Sequence, residues 1–600
     1  MGQDRRASKE RRISHLTRIA QVVPDVPSFA VDDGFAYEIP DALEDISVGD
    51  LVRIPLGGRR VRGYVTDVSD GTPERPLRPI AARSGNRGVF NPGMLASLRW
   101  ASTHYVAPLS TVLSRCTPPN VPRAKPRVHS DDIGERDGIL AEWGARQVER
   151  GRTRPAYLLS GEPLAEVITA IAPVLRDGKN VIVSAPTVSE VQSVAEALRG
   201  VFDKRVETAA AGDTPAQRTK AWTQLAAPTG SVVVGTREVA FWGTTGLGLA
   251  VIIDEGRRAY KSPQTPTYHV REVLRRRSVI ERFGLLLTGA VPTSEALAAG
   301  VEIMREQRRI WPLVDVIDRG EGSAGSQIVT DRTRHALTAL GESGTAFVLV
   351  PRRGGTYRCA RCRNLRVCTG CDSVLDRSGS CPRCGRSYPA CTTCRGTRFE
   401  ALGVSIPRVV AELQRTFGDA AGPAGSGARF VVGTERDLVG ALRADLVVVV
   451  GPDTAILAPN YRAEEDALRL LARAVLVAKP GRGRRALIET HLADHRVLTA
   501  IRRGDPMPFM AETQDQREGT GFPPVGELLA IETDAEGAHE LLEPATEGAS
   551  LLGPVAEEGT ERWLVQGRDL GRVRVRLRSV VQQLRDGGAR VRVDVDPMDL

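Results

Sequence analysis

Four C-x-x-C pairs crowded between residues 359 and 394 constrain this chain more tightly than any other feature. Cys359/Cys362, Cys368/Cys371, Cys381/Cys384 and Cys391/Cys394 hold eight of its nine cysteines. Each pair presents two thiolates from a tight turn, which is half of a tetrahedral zinc site. Eight thiolates make two tetrathiolate centres, so two Zn²⁺ are expected per chain. A disulfide framework belongs instead to small secreted chains, whereas this one has 600 residues, no signal-peptide pattern and no further cysteine but Cys116. Four such pairs can be matched in three ways, of which the nested one leads. The nine residues between Cys371 and Cys381 can close a hairpin around an inner site of Cys368, Cys371, Cys381 and Cys384. That leaves Cys359, Cys362, Cys391 and Cys394 for an outer site. Eleven arginines stand against two acids, Asp372 and Asp376, between Arg352 and Arg398. Two zinc-tetrathiolate centres at about −2 each leave that segment basic, a surface suited to a polyanion or an acidic protein face.

The rest of the chain is organised around this block. Six hundred residues imply several domains, and 41% hydrophobic with 26% charged residues is the composition of a globular protein. No apolar run approaches the ~18 residues of a membrane span, so a cytoplasmic protein without a membrane partner is expected. A net charge of +9 permits nucleic-acid binding without demanding it.

Residues 1–20 are basic and polar and read as a disordered arm. Residues 21–118 read as a β-rich domain, with alternating segments such as Leu51-Val-Arg-Ile-Pro and Arg62-Gly-Tyr-Val-Thr-Asp-Val between Gly and Pro turns. The Pro-rich stretch that follows reads as a linker over 119–150. Apolar runs then alternate with helical patterns, the signature of buried parallel sheets. Ala156-Tyr-Leu-Leu, Val181-Ile-Val-Ser, Ser231-Val-Val-Val, Leu249-Ala-Val-Ile-Ile and Leu285-Leu-Leu-Thr define a first lobe over 151–318. Thr345-Ala-Phe-Val-Leu-Val, Ala428-Arg-Phe-Val-Val, Leu446-Val-Val-Val-Val and Ala486-Leu-Ile-Glu define a second over 327–356 and 400–500, interrupted by the zinc insertion at 357–399. The Gly/Ala/Ser stretch 418–427 reads as a flexible loop. Residues 515–600 read as a separate α+β domain, with strand-like segments Glu527-Leu-Leu-Ala-Ile-Glu, Arg562-Trp-Leu-Val and Val573-Arg-Val-Arg-Leu.

Two tandem α/β lobes with a basic zinc insert suggest a nucleic-acid motor, whose phosphate loop requires G-x-x-x-x-G-K-[ST]. After the first strand this chain has Gly161-Glu162-Pro163-Leu164-Ala165-Glu166 instead. It offers no second glycine, no lysine and no hydroxyl, and Pro163 removes an N–H donor. Val251-Ile-Ile-Asp254-Glu255-Gly256-Arg257 is an apolar strand ending in two acids, the form of a Mg²⁺-holding motif. Asp254 and Glu255 are therefore read as the remnant of a Mg-ATP site.

With these features in place, the chain from about Val22 to Leu600 resembles the bacterial replication restart family of primosomal protein N′. The resemblance rests on the four cysteine pairs inside the second lobe, on Gly235-Thr236-Arg237, and on Asp254-Glu255 followed by Tyr260-Lys261 and Tyr268-His269-Val270-Arg271. It extends to Gly433-Thr434, Phe522-Pro523-Pro524 and Asp594-Val595-Asp596-Pro597. The resemblance implies a 3′-end DNA-binding domain, a winged helix, two RecA-like helicase lobes with a cysteine-rich insertion and a C-terminal α+β domain. It implies 3′-end contacts at Phe35, Tyr37, Gly57 and Arg78, with Ala36 where the family has an acid. The linker is short for a winged helix, which is expected to be vestigial or absent. The arginine-finger motif falls near Arg473–Pro480, where Val477 and Pro480 stand at the arginine places.

Three degenerate parts of one ATP site lead to the expectation of a protein that is not an enzyme, with ATP and Mg²⁺ not expected as cofactors. The expected function is binding of stalled or abandoned forks and promotion of primosome assembly and helicase reloading. The expected partners are branched DNA with single-stranded regions and primosome and helicase-loading proteins, met by a monomer at the nucleoid. An active 3′–5′ helicase of the same family is the second reading, and a zinc-ribbon RNA-binding protein the third.

Overall fold

Alternation of outward and inward residues over Thr17–Pro24 builds the first strand (β1) of an antiparallel sheet, completed by β2 (Phe35–Glu38), β3 (Leu51–Leu56), β4 (Arg59–Gly71) and β5 (Ala82–Ser84) in the order β2-β1-β4-β3-β5. The computed structural model describes residues 17–598 except 119–124, 130–132, 151–153, 306–308, 320–326, 352–356, 363, 370–374, 377, 382–384, 402–403, 439–441, 480–484 and 558. The basic arm expected over 1–20 is corrected at its end, because Thr17–Ala20 already pair with β4; residues 1–16 lie outside the described residues. One face of the sheet buries Val22, Tyr37, Val52, Ile54 and Val65. On the other, Val23, Leu51 and Tyr64 join the main core against the helix Pro92–His104. Asn91 caps that helix by accepting from Met94 N at 2.8 Å, and the helix packs on the helix Val270–Glu281 of the next domain.

The first lobe is a seven-stranded parallel sheet formed by β6 (Ala156–Leu159), β7 (Asn180–Ser184), β8 (Val206–Ala209), β9 (Val232–Gly235), β10 (Leu247–Ile252), β11 (Gly284–Gly289) and β12 (Glu302–Met304). Its order is β12-β6-β11-β10-β7-β9-β8. Its central strands are buried on both faces, which is why they read as unbroken apolar runs. The linker reading of 119–150 is corrected at its C-terminal end. Ile139–Arg150 is a helix whose Leu140 and Trp143 are buried with Ala170 and Val174 of the helix Leu164–Arg176. It is a part of the lobe. Trp222 joins lobe and N-terminal domain, fully buried and donating from Nε1 to the Cys116 carbonyl at 2.9 Å; burying such a side chain contributes about 2–3 kcal/mol.

The second lobe repeats the plan with β13 (Val314–Asp318), β14 (Ala346–Leu349), β17 (Ala421–Pro423), β18 (Phe430–Gly433), β19 (Leu446–Val450) and β20 (Arg485–Thr490), all parallel in the order β13-β20-β19-β14-β18-β17. A two-stranded antiparallel ribbon, β15 (Tyr357–Cys359) and β16 (Phe399–Ala401), carries the cysteine insertion out of this lobe. The loop reading of 418–427 is corrected: Ala421–Pro423 pair in parallel with β18, and Ala421 is buried.

The C-terminal domain is the antiparallel sheet β22 (Ser550–Glu557), β23 (Thr560–Gly567), β21 (Glu527–Thr533) and β24 (Val591–Val595) in that order. Val573-Arg-Val-Arg-Leu, read as strand-like, lies in the helix Gly571–Asp586. Its buried positions Val573, Leu577, Val581 and Leu584 recur at helical spacing, a longer rhythm than the local Val/Arg alternation. β24 and the residues after it run between the lobes. Lys261 reaches Asp594 at 2.9 Å and the Val595 carbonyl, and Thr267 bonds Val593 and Val595. From the second lobe, Asn460 donates to Met598 O and Tyr461 to Pro597 O. The same domain also touches the N-terminal one, through Arg578 on Asp32 and Gln582 on Ser28 and Phe29.

Candidate metal centre and nucleic-acid interface

The β15–β16 ribbon brings the outermost cysteine pairs together. The Sγ atoms of Cys359, Cys362, Cys391 and Cys394 all lie within 4.8 Å of one another, with Cys359 to Cys394 at 3.5 Å and Cys362 to Cys391 at 3.6 Å. Four sulfurs at the Zn–S length of about 2.3 Å on a tetrahedron stand about 3.8 Å apart, while a disulfide needs about 2.05 Å. The spacing fits a metal ion and excludes a bond. Burial would raise the Cys391 thiol, but the N–H groups of Cys394 and Thr393 and the thiols of Cys362 and Cys359 outweigh it and bring it to about 6. Against the Asn364 N–H, which would lower it, the neighbouring thiols push Cys362 the other way, up to about 12, so without a metal the four do not all stand as thiolates. The turn after Cys391 closes with Cys391 N to Gly396 O and Arg395 N to Cys391 O, at 2.8 and 2.9 Å, over Arg395 at φ +62°. Cys381 N to Arg386 O and Gly385 N to Cys381 O, at 2.8 and 3.0 Å over Gly385 at φ +70°, repeat it. Of the inner set, Cys368 and Cys381 are buried together with Leu375 against Tyr388. Cys371 and Cys384 lie outside the described residues.

The basic character of this insert is partly internal. Arg366 is buried, lies over the Phe399 ring at 3.8 Å and donates to Tyr388 O at 2.9 Å. Arg358 pairs with Glu400 at 3.1 Å. Both hold the ribbon's own structure.

Between the lobes, Asp254 and Glu255 have separate fates. Asp254 leaves β10 at φ +51°, a conformation Asp tolerates better than most residues. Its Oδ2 meets Arg257 and Arg473, both at 3.4 Å. Arg257 also binds Glu190 at 2.8 Å, and Arg473 binds Glu435 at 2.9 Å, so this chain of charges crosses from one lobe to the other. Glu255 is fully buried. It accepts from Arg271 at 2.8 Å and from Thr293 N at 2.9 Å. Burial would lower Arg271, but the carboxylates of Glu255, Glu295 and Glu272 outweigh it and hold the guanidinium above its ordinary value. At the end of β6, Gly161 faces Leu476 and the Ile310 carbonyl so closely that a Cβ would sit 2.4 and 3.0 Å from them. The sequence motif places arginines at positions 477 and 480, whereas the cation that reaches Asp254 is Arg473, on the helix Ala463–Val475.

At the edge of the N-terminal sheet, Phe35 is 40% exposed, while Tyr37, on the same face two residues on, is buried and donates to Pro55 O at 3.1 Å. Burial raises the Tyr37 phenol, and Arg78 opposes that shift; the Arg78 carbonyl accepts from Glu38 N at 3.1 Å. Gly57, at φ +56°, has open space around its missing side chain. Tyr37, Arg78 and the β3–β4 turn thus come to one end of the sheet, with Phe35 beside them and Ala36 exposed.

Residues 21–118 match the family model described as 3'DNA-binding domain (3'BD). Curated relatives match over far more. "Replication restart protein PriA" of Treponema pallidum is 25% identical over 97% of this chain and 99% of its own. "Probable replication restart protein PriA" of Mycobacterium tuberculosis is 28% identical over 88% and 89%. "Replication restart protein PriA" of Bacillus subtilis is 24% identical over 65% and 55%.

The chain resembles PriA over most of its length.

Among solved structures, the DUF1998 helicase MrfA bound to DNA is similar at a TM-score of 0.36 and 14% identity, covering 75% of this chain and 65% of that one. RecG bound to a three-way DNA junction gives 0.36 and 11%, covering 83% and 74%. The helicase Lhr of Mycobacterium smegmatis bound to ssDNA and AMP-PNP gives 0.34 and 12%, covering 74% and 60%. These findings correct the expectation of a chain that is not an enzyme. The degenerate loop Gly161–Glu166 does not establish inactivity in a chain similar to PriA. No helix among the described residues is long and apolar enough to cross a membrane.

Proposed function

We propose that this chain works in replication restart: it binds stalled or abandoned forks, engages an exposed 3′ end through residues 21–118, and promotes primosome assembly and reloading of the replicative helicase. The observation that carries the reading is the 3′DNA-binding domain match within a chain that is similar to PriA along most of its length. Phe35 offers an exposed ring for a terminal base, Gly57 leaves room for close backbone approach and Arg78 supplies a cation for phosphate. In this reading Cys359, Cys362, Cys391 and Cys394 hold Zn²⁺, because an all-sulfur tetrahedral donor set selects it over Mg²⁺ or Ca²⁺. A second Zn²⁺ on the four inner cysteines completes the insert.

Base stacking on an aromatic contributes about 1–3 kcal/mol. Phe35→Ala is therefore expected to weaken binding of a fork with a free 3′ end by about five-fold or more, and to erase its advantage over the same fork with a blocked 3′ end. Fluorescence anisotropy at one fixed salt concentration measures both. Fork binding by the unaltered protein no tighter than duplex binding would refute the proposal. DNA-stimulated ATP hydrolysis, with Asp254→Ala as the control for contaminants, decides whether restart is coupled to a motor.

A further inference from the structure

The β3–β4 hairpin turns through Gly57 and Gly58, at φ +56° and +79°, the two left-handed residues of a tight two-residue turn. Counting back from the turn, Leu56 faces Arg59, Pro55 faces Arg60, Ile54 faces Val61 and Arg53 faces Arg62. In such a ladder the pair next to the turn is hydrogen-bonded and the pairs alternate. Pro55, which has no N–H, therefore falls on a non-hydrogen-bonded position, and so does the pair Arg53/Arg62. There the Cα atoms are about 4.5 Å apart and side chains are closest. Arg60 follows Arg62 on the same face about 7 Å along the strand. Three guanidiniums thus share one patch, and like charges directly opposite each other destabilise a sheet.

Among the described residues, Asp25 faces them. Asp25 donates its N–H to the Arg62 carbonyl at 2.8 Å, and the charges of Arg62 and Arg53 act on its carboxylate. Beyond the backbone ladder, the Arg59 and Arg60 side chains make no hydrogen bond or ion pair among the described residues. Protection of a sheet edge would be the ordinary reason for such charge. Here the exposed edge beyond Arg53 belongs to β3, since β5 covers only Leu51–Arg53, yet two of the three arginines are on the inner strand β4. The arginines also point away from the face that carries Phe35 and Tyr37, which is the face of Val52, Ile54 and Val65.

We infer that Arg53, Arg60 and Arg62 form a second nucleic-acid contact, a phosphate-binding face for the sugar-phosphate backbone of a DNA arm other than the one whose 3′ end is held on the opposite side of the sheet. This rests on the proposed reading of residues 21–118 as a DNA-binding domain. The hairpin tip then separates two arms of a branched substrate. Each phosphate contact steepens the salt dependence of binding by about 0.9 in the logarithmic slope for duplex and about 0.7 for single strand.

The test uses the full chain with Arg53→Gln/Arg60→Gln; Arg62, which is tied to Asp25, is left in place. Binding is measured from low to high salt on a fork and on a 3′-ended single-stranded oligonucleotide, after thermal melting shows the variant folds like its parent. Fork affinity at low salt is expected to fall about ten-fold, with the slope smaller by about 1.4–1.8, while discrimination between free and blocked 3′ ends on the oligonucleotide is unchanged. An unchanged fork slope overturns the inference and leaves the 3′-end reading standing. Loss of 3′-end discrimination together with fork affinity overturns it too, since the face would not be separate. Protection of Arg60 by an acidic peptide as effective as DNA would reassign the face to a protein partner. A parent chain that binds neither DNA would sink both readings.

Discussion

Cys391→Ser is expected to remove one equivalent of bound metal and to unfold the outer half of the insert carried by the β15–β16 ribbon while leaving both parallel sheets intact. The four sulfurs stand within 4.8 Å of one another at the end of the ribbon. The apolar cluster among the described residues of the insert comprises Cys368, Leu375 and Cys381 with Tyr388, too little to hold a small domain by burial. Structural zinc contributes on the order of 10 kcal/mol to such a metal-organised unit, so losing one ligand removes most of the force that folds the half of the insert built on the outer site. Metal content by elemental analysis and hydrogen exchange across 357–401 read the two effects separately. Undiminished metal in the variant would refute the assignment of this site. Insert protection that survives full chelation would show that packing, and not metal, holds the ribbon.

Glu255→Ala is expected to lower stability by about 1–3 kcal/mol, because the buried Thr293 N loses its acceptor and Arg271 loses one of its carboxylates while Glu272, at 3.0 Å, and Glu295, at 3.7 Å, remain. Arg271 would keep its charge in a site where it is 5% exposed, with Thr293 N left without its acceptor. Glu255→Gln keeps the acceptor for Thr293 N and removes the charge, so it is expected to fall between the parent and the alanine variant. Urea unfolding followed by tryptophan fluorescence reports this through Trp222 and Trp242, both buried in the N-terminal domain and first-lobe core. A chain of several domains need not unfold in one step, and the comparison is made on the transition those tryptophans report. An alanine variant as stable as the parent would mean that Glu272 and Glu295 suffice for Arg271 and that Glu255 adds nothing to the network.

The strands that sequence reading missed share one property. β8 and β12 close the two edges of the first lobe's sheet, and β13 and β17 those of the second. Central parallel strands are buried on both faces and announce themselves as unbroken runs such as Leu446-Val-Val-Val-Val. Edge strands such as Val206-Glu-Thr-Ala and Ala421-Gly-Pro meet water or a loop on one side and carry no such signal. The outer metal site was legible because C-x-x-C spacing is local and the nested pairing needs only a hairpin. The fate of Asp254 and Glu255 was not. Which acid is buried and which cation meets it depends on Arg271 and Arg473, which no local pattern ties to position 254 or 255. The arginine patch on β3 and β4 was hidden for a related reason: both segments were visible as strands, but the register that sets Arg53 opposite Arg62 is a property of the turn.

The C-terminal residues 593–598 bond at once to the loop around Lys261 and Thr267 and to Asn460 and Tyr461 across the interlobe seam. The two lobes cannot part without one of them letting go of this tail. Their separation and the docking of the last domain therefore share a single free energy, and linkage makes that debt mutual. A ligand that spreads the lobes would loosen the C-terminal tail from one of them, and a ligand that fixes the tail would in turn bias how far the lobes part.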